Sequence, residues 1–130
     1  MNREISPSSI APPASNYAHA VLSEGAGRLL HVSGVVAATP DGSIPDDVAG
    51  QAAVIWSNIA AILAEADMTM TDIVSVTTYV VVDFIASLPD VMAARNNALN
   101  GHRAASTLVT VPALARPAWK MEIAIIAAAR

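Results

Sequence analysis

The sequence predicts an α+β domain: a mixed sheet with two helices packed on one face, in the order ββαβαββ. Three observations predict it. Two stretches carry apolar residues at helical spacing. Runs rich in Val, Thr, Ile and Tyr, of strand length, lie before, between and after them. Pro, Gly, Asn and Asp separate the pieces, with no repeat and no linker, so residues 1–130 read as a single domain.

Residues 1–16 carry Pro7, Pro12, Pro13 and several serines and read as an extended arm. A first strand is expected over Tyr17–Ser23, and Glu24-Gly25-Ala26-Gly27 is a turn. A second strand over Leu29–Ala37 places Leu30, Val32 and Gly34 on one face and His31, Ser33 and Val35 on the other. Thr39-Pro40-Asp41-Gly42-Ser43 is the next turn. Val48, Ala52, Ile55, Trp56, Ile59, Ile62, Leu63 and Ala66 then form one helical face. Asp46 or Asp47 suits its N-cap, and Asp67 tolerates the turn that closes it. Ile73–Val82 predicts a central strand. Phe84–Leu99 predicts a second helix that buries Leu88, Val91, Met92 and Leu99 and ends at Asn100-Gly101. Strands over Ser106–Val111 and Trp119–Ala128 complete the set, with the loop Pro112–Pro117 between them.

Composition narrows the function. Hydrophobic residues make up 54% and charged residues 14%, against about 25% charged in ordinary globular domains. Two helices cannot cover both faces of this sheet, so the apolar surplus points to burial against copies of the same chain. The longest apolar runs fall far short of the roughly 20 residues of a membrane span. No apolar leader follows Met1, and no membrane partner is expected. Absence of cysteine excludes disulfides and a thiol nucleophile, and cytoplasmic residence is the expectation. Net charge is −4 with Lys120 the single lysine, which argues against nucleic acid as a partner. His19, His31 and His102 lack metal-ligand spacing, and no phosphate loop, dinucleotide fingerprint or nucleophile elbow is present, so no metal and no cofactor are expected.

A series of short motifs carries a resemblance. In order they are Tyr17; Val32-Ser33-Gly34; Pro40-Asp41-Gly42; Gln51; Asn58-Ile59 through Ile62-Leu63; Asp72-Ile73-Val74 before Thr78-Tyr79; and Leu114-Ala115-Arg116-Pro117 through Glu122-Ile123. Together they resemble the Rid/YjgF/YER057c family, also called L-PSP endoribonuclease-like, from Tyr17 to Ala128. The resemblance implies a chorismate-mutase-like fold, a homotrimer and ligand clefts between subunits. In imine-hydrolysing members a Pro-Ala-Arg-Ser segment supplies an arginine that grips the substrate carboxylate. The matching stretch here is His102-Arg103-Ala104-Ala105-Ser106-Thr107, and it aligns Ser106 with that arginine. The chain therefore resembles the family's arginine-less branch. It also has Val35 where a glutamine is usual, Ala66-Asp67 for Ala-Gly, and Pro89-Asp90 early in the second helix.

The resemblance makes Glu122, the single acid of the last strand, the candidate catalytic residue, a carboxylate that orients water toward a C=N carbon. Tyr17, Ser33, Gly34, Ser106, Thr107 and Arg103 are the candidate substrate-binding residues. Each has an ordinary alternative: Glu122 at a strand end, Ser33, Ser106 and Thr107 as strand hydroxyls, Tyr17 as packing, and Arg103 as a solvated or intersubunit charge. The leading expectation is a deaminase-like hydrolase of a small imine, enamine or carbonyl metabolite. A non-catalytic metabolite-binding module is the alternative, and an endoribonuclease is third, disfavoured by the acidic charge.

Overall fold

The computed structural model describes residues 1–130. Six strands and two helices follow the chain: β1 (Asn2–Ile5), β2 (Ala20–Ser23), β3 (Arg28–Val35), α1 (Val48–Glu65), β4 (Ile73–Val81), α2 (Leu88–Leu99), β5 (Ala105–Val111) and β6 (Met121–Ala129). The main sheet has the order β3-β6-β4-β5. Its β3–β6 and β6–β4 pairs are antiparallel and its β4–β5 pair is parallel, with α2 as the crossover.

Residues 1–16 depart from the expected plain arm. Asn2–Ile5 form β1, which pairs antiparallel with β2 from Asn2↔Ser23 to Ile5↔Ala20. The prolines begin only at Pro7, so every N–H of this segment can join a ladder, and the order becomes βββαβαββ. Tyr17 lies before β2; the adjacent Ala18 donates its N–H to the Ala104 carbonyl at 3.0 Å and bridges Ala105 in parallel.

Helix α1 starts where Asp47 accepts the Gly50 N–H at 2.8 Å. It buries Val48, Ala52, Ile55, Trp56, Ile59 and Leu63 against the sheet. This is the one helix long and apolar enough to cross a membrane, and its buried residues belong to the core. Helix α2 starts later than the spacing predicts. Pro89 cannot donate to Ile85, so residues 82–87 form a kinked 3-10 segment and α2 begins at Leu88. It buries Val91 and Leu99 and ends on Asn100 in the left-handed region.

Gln51 ties α1 to the last strand. It is fully buried, and its Nε2 donates to the Pro45 and Ala118 carbonyls, each at 2.9 Å. Its Oε1 accepts the Lys120 N–H at 3.0 Å. All of its main hydrogen-bonding directions are used by backbone, which makes it a structural pin between the α1 start and the β6 approach.

Alternation along the strands divides the sheet. Met121, Ile123, Ile125 and Ala127 of β6, with Val76 and Val80 of β4, join the helices in the core. The opposite face carries His31, Ile126, Ser75, Ala124, Thr77, Thr107, Glu122, Tyr79 and Val109; no helix packs on it, and only its end at Ala128 is buried, beside Asn2, whose Nδ2 donates to the Ala128 carbonyl. Leu29 and Val109 are 61% and 41% exposed there.

Candidate functional site

A bulge in β3 shapes the site. Val32 pairs with Ile125 and Val35 with Ile123, so Ser33 and Gly34 together oppose the single residue Ala124. Simple alternation put Val35 on the face of His31. The extra residue reverses this, and Val35 joins Leu30 and Val32 against the core.

The bulge brings the Gly34 backbone beneath Glu122. A β-carbon on Gly34 would stand 2.3 Å from Glu122 Oε2, 2.5 Å from Cδ and 2.9 Å from Cγ. Gly34 does not have a positive φ, so close approach rather than backbone conformation demands glycine here. Glu122 pairs with Tyr79 across the β4–β6 ladder and looks out from the open face. The two ion pairs of the chain, Arg3–Glu24 and Arg103–Glu4, leave its carboxylate uncommitted.

Thr107 shares this face, because it pairs with Thr77, which pairs in turn with Ala124. Ser106 does not. It pairs with Val76, a core residue, and stands on the helix side with Leu108. Two strand spacings separate β5 from β6, about 10 Å. A threonine at 107 spans little of that gap, whereas an arginine would span most of it.

Arg103 and Tyr17 occupy a different part of the molecule. Arg103 precedes β5, so strand alternation does not set its direction. Its guanidinium donates to the Tyr17 carbonyl and lies 3.9 Å from Glu4. The Tyr17 hydroxyl accepts the Ala14 N–H at 3.2 Å. Within one chain this corner lies about three strand spacings, roughly 14 Å, from β6. The fold thus gathers Ser33, Gly34 and Glu122 on β3 and β6, and Tyr17 with Arg103 beyond the β5 edge.

Sequence reasoning missed Arg95. It is 6% exposed in α2 and has no carboxylate partner. Its bonds are to Asn96 Oδ1 at 3.2 Å and Ser15 Oγ at 3.4 Å. Burial, opposed by the nearby Tyr17, holds its pKa below the ordinary arginine value. A helix-spaced arginine beside two asparagines gives no signal of burial, because the segment that covers it comes from residues 14–17. The histidines are dispersed: His19 meets the Ala11 carbonyl at 2.8 Å, His102 meets the Ile73 carbonyl at 2.7 Å, and His31 opposes Ile126. No three potential metal ligands converge.

Comparison with known proteins then decides the family. The model of the family described as Endoribonuclease L-PSP matches residues 8–129. The chain belongs to the Rid/YjgF family. Among solved relatives, the conserved Rid protein YyfB from Yersinia pestis, of unknown function, is 31% identical over 98% of both chains, with a TM-score of 0.89. The YjgF gene product of E. coli is 28% identical over 91% of both chains, with a TM-score of 0.72. Rv2704 from Mycobacterium tuberculosis, a YjgF/YER057c/UK114 member, is 26% identical over 99% of this chain and 100% of its own, with a TM-score of 0.69. No protein of curated function matches the chain. The Rid/YjgF fold therefore extends over the whole molecule, and the two-helix mixed sheet expected from the sequence is the family's architecture.

Proposed function

We propose that this Rid/YjgF chain hydrolyses a small imine, enamine or related carbonyl metabolite, in clefts between the subunits of a cytoplasmic homotrimer. The observation that carries the reading is the free Glu122 carboxylate, seated over the Gly34 backbone on an uncovered sheet face. A carboxylate there can orient water toward an electrophilic carbon and take its proton as the C–O bond forms. The proton held by Glu122 then passes to the nitrogen, the C–N bond breaks as the carbonyl forms, and a simple imine releases ammonia. Ser33, Thr77 and Thr107 supply neutral donors and acceptors along the same row.

The reading assigns the trimer to the open face. Apolar residues such as Leu29, Ile126 and Val109 there, with only two helices on the other side, favour burial against sister chains. Tyr17 and Glu122, far apart in one chain, would then serve a common cleft from neighbouring subunits. The carboxylate-gripping arginine of imine-hydrolysing relatives has no counterpart on β5, whose side chains are Ala, Ser, Thr, Leu and Val. The substrate is accordingly one that does not depend on a strong cationic anchor at that position.

The test is ammonia release from a panel of imines generated in situ, with Glu122→Ala as control. Release lost in Glu122→Ala supports hydrolysis. Saturable ligand binding without turnover in either protein would replace it with the metabolite-binding module. The ribonuclease activity in the family's name is disfavoured by the net charge of −4.

A further inference from the structure

We infer that the chain carries a second small-molecule site, a pocket for an aromatic or apolar carboxylate at the C-terminal ends of β4 and β5, with Arg116 as its anion anchor. The pocket has a volume of about 440 Å³, within the size range of small-ligand sites. It lies between the 3-10 turn after β4 and the loop between β5 and β6. Val81, Phe84, Leu114 and Trp119 supply its apolar surface, and Asp83 and Arg116 its charges. Ser33, Gly34, Thr107 and Glu122 do not line it, so it is separate from the site on the sheet face.

Two aromatic contacts organise this pocket. Lys120 Nζ sits 4.9 Å from the centre of the Phe84 ring and donates to the Asp46 carbonyl, which fixes one wall. The Arg116 guanidinium carbon lies over the Trp119 ring, 5.3 Å from its centre. A cation–π contact holds the charge over the ring without using up the guanidinium's hydrogen-bond donors. No ion pair involves Arg116, although Asp83 lines the same pocket. A planar cation held at the edge of an apolar concavity, with its donors unspent, matches a ligand with an apolar body and a carboxylate end. A cationic ligand would find Asp83 but would meet Arg116 as a like charge. A neutral one would offer the Arg116 fork only an uncharged, weaker acceptor.

Phenylacetate serves as the probe, with phenylacetamide as its neutral counterpart. The full chain is titrated while the ¹H–¹⁵N spectrum is followed, including the indole N–H of Trp119 and the amides of Val81 and Phe84. The expected result is saturable shifts at those groups, with a Kd on the order of 1 mM for so small a ligand. Arg116→Gln should weaken phenylacetate at least about tenfold, as loss of a charge-assisted pair does. Arg116→Lys should fall between the two, and phenylacetamide should bind both proteins alike. Glu122→Ala should leave the Kd unchanged. Equal affinity in Arg116→Gln, loss of binding in Glu122→Ala, or shifts that never saturate would each overturn the proposal. Arg116 is exposed, so these variants leave the core intact; matching spectra away from the loop check this.

Discussion

Placing alanine at Gly34 should destabilise the protein, and removing the Glu122 side chain should reverse the sign of that effect. The added β-carbon would meet Glu122 Oε2 at 2.3 Å, Cδ at 2.5 Å and Cγ at 2.9 Å. Moving only the carboxylate does not relieve the contact at Cγ, so Glu122 must change rotamer or the bulge must shift. Overpacking of this kind costs roughly 1–3 kcal/mol. The open face gives the side chain somewhere to go, so the lower end applies, about 1 kcal/mol. With Glu122→Ala the clashing atoms are gone, and Gly34→Ala keeps only its effect on the unfolded chain, a gain of roughly 0.4–1 kcal/mol. The double-mutant cycle should therefore show a coupling of about 1.5–2 kcal/mol between the two positions. Urea denaturation of the four proteins at one fixed protein concentration measures it. The single variant should also lose turnover on any substrate that needs Glu122, because misplacement by about 1 Å can cost a factor of 10². Additive effects, with Gly34→Ala equally harmful in both backgrounds, would refute the account of why glycine stands there.

Gln51→Leu should cost about 2–4 kcal/mol, because it leaves the Pro45 and Ala118 carbonyls and the Lys120 N–H without their partner; a loss under about 1 kcal/mol in denaturant titration would show that the pin is dispensable. Arginine at position 107 should raise activity on carboxylate-bearing imines about tenfold, whereas Ser106→Arg should not, because Ser106 stands on the helix side; a larger gain from Ser106→Arg would contradict the observed strand register. Arg95→Met should leave overall stability nearly unchanged, since a buried cation without an acid partner contributes little, yet it should release residues 14–17, read as faster hydrogen exchange at the Ala18 amide; unchanged exchange would mean that Arg103 alone holds the segment. Asp41 has its pKa lowered to about 2, first by the Thr39 hydroxyl and then by the Ser43 N–H. A depressed carboxylate stabilises above its ordinary pKa and loses that effect as pH falls through the folded value, so the Thr39–Ser43 turn should hold at pH 4 and open with a midpoint near 2, followed by the Ser43 amide shift; a midpoint near 4 would deny these bonds. Light scattering at micromolar concentration should exceed the monomer mass of 13.4 kDa and fit a trimer; a monomer would remove the intersubunit cleft from the proposed function.

Local sequence determined the elements. Helical spacing from Val48 through Leu63 specified α1 and most of its buried face, although Ile62 is exposed, and of the two caps offered, Asp46 and Asp47, the structure uses Asp47. Val, Thr and Ile enrichment marked β4, β5 and β6 to within two residues. These properties depend on neighbours a few positions away, which is why composition and period reveal them. The Rid/YjgF family was likewise legible, through short motifs in a fixed order. Tertiary structure alone decided which side chains meet. The β3 bulge sends Val35 to the core and lays Gly34 beneath Glu122, because two residues there oppose one partner, and no period within β3 encodes its partner's register. The parallel pairing of β4 with β5 puts Thr107 rather than Ser106 on the Glu122 face, again a matter of register between distant segments. Arg95 is buried, and Arg103 is turned toward Tyr17, by residues some 80 positions away in the chain. The sequence determined by itself what each segment becomes; three-dimensional pairing decided which atoms share a site, because contacts between distant segments leave no local pattern to read.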